Sequence, residues 1–211
     1  MYTQTSTEFL PSVIRTFALS LAIAFLGTMA GVFVPDSLFM PLAILEFVML
    51  MIAFFFRRKK AISYSFLYLF TFISGITLFP IVAYYTAAAG ANIVVMAFAS
   101  TTVVFTGVAI YATKSKQNFS FLGGFLLAAL LALVVISIYN IFFPLGSTAM
   151  LAFSFIGVIV FSGYVLFDFN RMKHYGVRPE EVPLMALNLY LNFINLFISI
   201  LRIFGILSSK D

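Results

Sequence analysis

Seven stretches of this 211-residue chain are each long and apolar enough to cross a bilayer, and no other feature restricts its fold as much. They run over 12–34, 38–56, 61–86, 91–113, 119–142, 147–169 and 181–207. A hydrocarbon core of about 30 Å takes about 20 residues of α-helix, and lipid offers no partner to a backbone N–H or C=O. Each stretch must therefore satisfy its own backbone as a helix, and the fold expected is an all-α polytopic membrane protein of seven transmembrane helices. The connections are short and leave no room for a soluble domain, so residues 1–211 read as a single transmembrane domain. The first stretch exceeds the apolar run of about 7–15 residues usual in a signal peptide and has a weak charged flank, so it is expected to stay in the protein.

Charge orients the bundle. The chain is 63% hydrophobic and only 9% charged, with a formal net charge of +5. Its basic residues gather in short runs: "RRKK" at 57–60 after the second span, "KSK" at 114–116 after the fourth, and "RMKH" at 171–174 with Arg178 after the sixth. The connections after spans one, three and five contain no Lys or Arg. The positive-inside rule then places the amino terminus and the basic connections in the cytoplasm and the carboxyl terminus on the opposite side. Basic residues so distributed answer to the membrane, and nucleic-acid binding is set aside. With no Cys and the single His174 in a basic connection, thiolate chemistry, zinc and haem sites lack ligands, and no cofactor is expected.

Two acids fall inside spans: Glu46 in the second, and Asp168 near the cytoplasmic end of the sixth. A charge at the bilayer centre costs about 2.5–3.5 kcal/mol on insertion scales, so such groups face a cavity, pair with a cation, or stay protonated. Arg57 lies eleven residues after Glu46, about 16 Å along one helix, at a depth similar to that of Asp168. The seventh span raises a related question. Asn188, Asn192, Asn195, Ser199 and Arg202 recur at intervals of four, three, four and three, which puts them on one helical face. That face must look into the bundle or onto water, which marks the seventh span as the candidate central helix and its stripe, with Glu46, as a candidate interior or pore lining.

Four segments, "FVPDSLFMPLAILE", "GITLFPIVAYY", "YVLFDFNRMK" and "LNLYLNFINLFISILRIFG", resemble the transmembrane Bax inhibitor motif family, especially its bacterial members. The resemblance covers nearly the whole chain and implies seven helices with the last one central within a bundle of six. It further implies a pH-sensitive calcium leak channel of the plasma membrane. In such channels an Asp on span six and an Asp on span seven sense pH, and an Arg at the end of span two latches the span-six Asp when the pore is closed. Carried onto this chain, the span-six acid is Asp168 and the latch is Arg57, while the span-seven position holds Asn192. An amide neither ionises nor repels, but like a protonated acid it offers both a donor and an acceptor. Asn192 is thus expected to stand as a fixed, proton-loaded surrogate, leaving Asp168 and Arg57 as the titrating switch.

The functional expectation is a passive path for Ca²⁺, a hard ion that prefers oxygen ligands, with Asp168 and Glu46 as transient ligands and H⁺ as the gating partner. Ligation this sparse suits permeation, because an ion must also leave. Two alternatives stand beside it: a proton-coupled calcium antiporter, and a non-transporting regulator of other membrane proteins. An enzyme is not expected. The seventh span has no Lys for a retinal Schiff base, and the Ser-Gly of "FSGY" at 161–164 has no His in any span to activate it.

Overall fold

The structure is a computed structural model that describes residues 9–56 and 62–208. Among these residues the apolar stretches form α1 (Leu10–Ala30), α2 (Asp36–Phe56), α3 (Tyr64–Ala89), α4 (Ala91–Lys114), α5 (Leu122–Phe142), α6 (Ser147–Tyr175) and α7 (Val182–Ser208). A 3-10 turn over Gly31–Phe33 extends α1, another over Pro179–Glu181 precedes α7, and no strand occurs among the described residues. All seven helices are long and apolar enough to span a membrane.

Helix ends follow local chemistry. Ser63 caps α3 by accepting the Phe66 N–H on its hydroxyl at 3.1 Å. Gly90, at φ 85°, lets α3 stop and α4 begin one residue later. The sixth helix departs from expectation: the basic cluster 171–174 was read as a connection, yet α6 runs on to Tyr175. Between Asp168 and Gly176 neither Pro nor Gly occurs, and Gly176 turns the chain at φ 71°. Lys173 and His174 occupy its last turn, where cations offset the partial negative charge of a helix C-terminus. His174 is consequently helical, its Nδ1 lying 2.9 Å from the Asn170 carbonyl oxygen.

The contacts divide the chain into two compact units, Met1–Ala83 with Tyr175–Tyr190, and Tyr84–His174 with Leu191–Asp211. In the first unit, α1 and α3 meet backbone to backbone. A Cβ added to Gly27 would strike the Phe72 carbonyl oxygen, and one added to Gly75 would strike the Ala24 carbonyl oxygen. Gly27 and Gly75 thus permit the close approach of the two helices, as small residues do in membrane helix pairs. Leu67, Phe70, Leu187 and Tyr190 fill the centre of this unit, with Phe70 edge-on to Tyr190 at 6.2 Å. The second unit is knit by aromatic edges: Phe105 meets Phe169 at 5.9 Å and Phe193 at 5.5 Å, and Phe98 meets Phe193 at 5.7 Å.

The seventh helix supplies core residues to both units and is the most enclosed of the seven. Of its most apolar stretch 67% is buried, against 11% in α2 and α5 and at most 39% elsewhere. Lipid competes poorly for a helix that carries three amides and an Arg, whereas α2 and α5 turn Leu, Ile and Phe outward.

Candidate functional site

Asp168 sits seven residues before the end of α6, in a stretch where Val165, Phe169, Asn170 and Met172 are also buried. Asn192 comes from α7, and the two side chains meet: Asn192 Nδ2 donates to Asp168 Oδ2 at 2.8 Å. Each is only 6% exposed, which matters because a carboxylate so buried needs hydrogen-bond donors to hold its charge. Their sequence neighbours Phe169 and Phe193 both rest on Phe105. The position at which a second acid was implied is therefore a donor aimed at the first.

The rest of the α7 stripe does not behave as a unit. Asn195 Nδ2 donates to the Leu191 carbonyl oxygen and Ser199 Oγ to the Asn195 carbonyl oxygen, both at 2.8 Å and both within α7. These two groups satisfy themselves on their own helix. Ser199 also marks a tight seam, since a Cβ added to Gly157 of α6 would run into its hydroxyl. Asn188 is half-buried in the first unit. Arg202, near the far end of α7, lies over the Phe153 ring with its guanidinium carbon 6.0 Å from the centroid.

Glu46 belongs to the first unit, half-buried on α2, where its Oε2 accepts the Thr77 hydroxyl at 2.5 Å. Arg57, the implied latch, lies outside the described residues. Among the described residues no three acidic or His side chains gather into a metal-holding group. Asp168 and Glu46 would each meet a cation as single carboxylates, helped by neutral oxygens.

One residue of this region carries more than its sequence suggested. Asn170, two residues after Asp168 and 2% exposed, accepts the Phe119 N–H on Oδ1 at 2.8 Å and donates Nδ2 to the Gln117 carbonyl oxygen at 2.9 Å. One turn on, Lys173 Nζ donates to the Ser115 carbonyl oxygen at 2.6 Å. The end of α6 thereby fastens the α4–α5 connection. The only signal in the sequence was an amide at the mouth of a span, a position that solvation also explains. Asn170→Ala is expected to strand a buried N–H and a carbonyl at a cost of about 2 kcal/mol or more. Thermal unfolding in detergent should show the lowered midpoint, and limited proteolysis a newly cut connection at 115–121. Asn140 plays a smaller part of this kind at the other end of α5, where its Oδ1 accepts the Leu145 N–H at 2.8 Å.

The sequence profile of the family described as "Inhibitor of apoptosis-promoting Bax1" matches residues 6–209. The chain belongs to the Bax inhibitor family. A membrane protein of Vibrio cholerae is 38% identical over 199 residues, which cover 90% of this chain and 84% of that protein. Bax inhibitor 1 of Schizosaccharomyces pombe is 39% identical over 150 residues, 71% of this chain and 54% of that protein. Protein LIFEGUARD 4 of Arabidopsis thaliana is 32% identical over 196 residues, 89% of this chain and 74% of that protein. Within this Bax inhibitor fold, a membrane protein of seven apolar helices, the Asp168–Asn192 pair is a buried charge-capable contact joining α6 to the most enclosed helix.

Proposed function

We propose that this Bax inhibitor family protein is a pH-sensitive calcium leak channel of the cell membrane, with its amino terminus in the cytoplasm. Asp168 is its titrating gate and Asn192 the gate's fixed partner. The observation that carries the reading is the 2.8 Å contact from the Asn192 amide to the buried Asp168 carboxylate. In the ionised state the amide N–H faces a negative oxygen. On protonation the carboxyl gains a hydrogen and needs an acceptor, and the same amide supplies one by presenting its carbonyl oxygen. Protons thus rewrite the seam between α6 and α7 without removing either helix from the other. Arg57 is assigned as the latch that holds the ionised Asp168 in the closed state, and Glu46 as a second oxygen site on the ion's route.

The test is calcium flux by the purified protein in liposomes at pH 6 to 8, an illustrative range about the usual working window. The wild type should conduct down a calcium gradient with a rate that depends on pH. Asp168→Asn, which keeps the shape and loses the charge, should flatten that dependence. Wild-type behaviour in Asp168→Asn would remove the gate assignment. Calcium driven uphill by an imposed pH gradient would make the protein a proton-coupled exchanger. Absence of flux would favour a non-transporting membrane regulator, the reading to which the name of the fission yeast relative, Bax inhibitor 1, points.

A further inference from the structure

The second unit contains a cavity of about 270 Å³ whose walls come from the last turns of α5, the α5–α6 connection, the start of α6 and the end of α7. Its polar lining is Ser137, Asn140 and Arg202; its apolar lining includes Ile136, Ile141 and Phe153. Among the described residues no carboxylate makes an ion pair with Arg202, the described ion pairs being those of Arg178 with Glu180 and Glu181. Nor is there an acidic side chain among the residues that line the cavity. An Arg stays protonated under all ordinary conditions, and a half-buried guanidinium without an anion is an uncompensated charge. The Phe153 ring answers one face of it and the Tyr85 phenol lies near enough to feel its charge, but neither is an anion, and a guanidinium has five N–H donors to satisfy.

Depth narrows what would complete the site. Arg202 precedes the last residue of α7 by six positions, about 9 Å of helix, and a side chain of its length reaches the boundary of the hydrocarbon. Leu145, in the connection after α5, also lines the cavity, which therefore opens where the spans end. Tyr139 and Phe143, 52% and 61% exposed and stacked at 5.0 Å, lie at the same end of α5, as aromatic residues do at headgroup level. The connection that closes the cavity, 143–146, contains no Lys or Arg, and beyond α7 the sequence has Lys210 next to Asp211.

We propose that this cavity binds the phosphate of an anionic phospholipid headgroup, with the Arg202 guanidinium pairing the phosphodiester and Ser137 donating to it. A forked guanidinium matches two phosphate oxygens at once. The volume admits the polar end of a lipid, while the exposed Ile136 and Ile141 run out toward its chains. A zwitterionic headgroup fits worse, because no lining carboxylate is present to receive its ammonium. The proposal does not depend on calcium conduction, and its test contains no flux.

The full chain, purified in a neutral detergent, is titrated with phosphatidylglycerol, with phosphatidylcholine, or with inorganic phosphate, while thermal unfolding is followed and bound lipid is counted by native mass spectrometry. Phosphatidylglycerol should raise the unfolding midpoint more than phosphatidylcholine and remain bound as one retained lipid. Arg202→Gln should weaken that lipid by about tenfold to a hundredfold, the worth of a charge-assisted contact. Ser137→Leu, on an exposed position, keeps the charge and fills the cavity, so it should abolish retention even if Arg202→Gln proves too unstable to measure. Arg178→Gln, which removes an exposed arginine already paired with Glu181, should change nothing. The proposal is overturned if phosphatidylcholine does as well, if retention survives Ser137→Leu, or if inorganic phosphate alone reproduces the effect.

Discussion

Asn192→Asp is expected to turn a one-step pH response of calcium flux into two separate steps. The variant puts a second carboxyl within about 3 Å of the first, at the distance now spanned by a hydrogen bond of 2.8 Å. Two unit charges at about 4 Å interact by about 4 kcal/mol at an effective dielectric constant of about 20, which corresponds to about 3 pH units between successive protonations. Two such carboxyls titrate as a coupled pair, in two separated steps. On the proposed reading the wild-type amide takes no part in such coupling, which leaves one carboxyl in the pair. Flux in liposomes measured in half-unit steps of pH distinguishes the two shapes, and a profile identical to wild type would remove the surrogate role assigned to Asn192. Asn192→Leu separates charge from hydrogen bonding: it deletes the donor while adding no acid, and should shift the single step without splitting it.

Gly75→Val is expected to cost about 3 kcal/mol or more of stability. The added atoms would meet the Ala24 carbonyl oxygen, carbonyl carbon and Cα, all backbone, so no side-chain rotation relieves the clash. Gly27 approaches the Phe72 carbonyl oxygen in return, and each close approach places a Cα–H against a carbonyl across the helix pair. Forcing α1 from α3 therefore loses the packing of two backbones together. Gly107→Ala on α4 is the matched control, because a Cβ there meets nothing within 4 Å. Thermal midpoints and the monodisperse fraction after purification should fall sharply for Gly75→Val and hold for Gly107→Ala.

How much of this was legible beforehand differs from element to element. The spans were, because lipid enforces one solution on a long apolar run, and the observed helices match the expected ranges within a few residues except at the end of α6. There the charges of "RMKH" looked like the end of a helix, but a helix can carry Lys and Arg through the interface until a Gly such as Gly176 turns it. Register alone put the five polar residues of α7 on one face, of which Asn192 and Ser199 are buried and Asn188, Asn195 and Arg202 half-buried. What register cannot reveal is whom each polar group bonds: Asn195 and Ser199 chose their own helix, Asn192 chose α6, and those choices are made by rotamer and neighbour. The importance of Asn170 was hidden for a related reason. Its partners are backbone groups some 50 residues away, and backbone carries no mark in a sequence.

The habit of self-bonding has a consequence for how the chain enters a membrane. Ser20, Thr28, Thr101, Ser154 and Ser199 each return their hydroxyl to a carbonyl four residues back, so these groups arrive in lipid already satisfied and need no companion helix. Asp168 and Asn192 answer each other across two helices. Only a short connection separates α6 from α7, so a ribosome still feeding the seventh helix delivers the amide soon after the acid has emerged. Partition of these last two helices as a hairpin spares the carboxylate a lone passage through hydrocarbon. A chain truncated before Asn192 is therefore expected to insert its sixth helix less efficiently than the full chain, which a glycosylation-mapped insertion assay would measure.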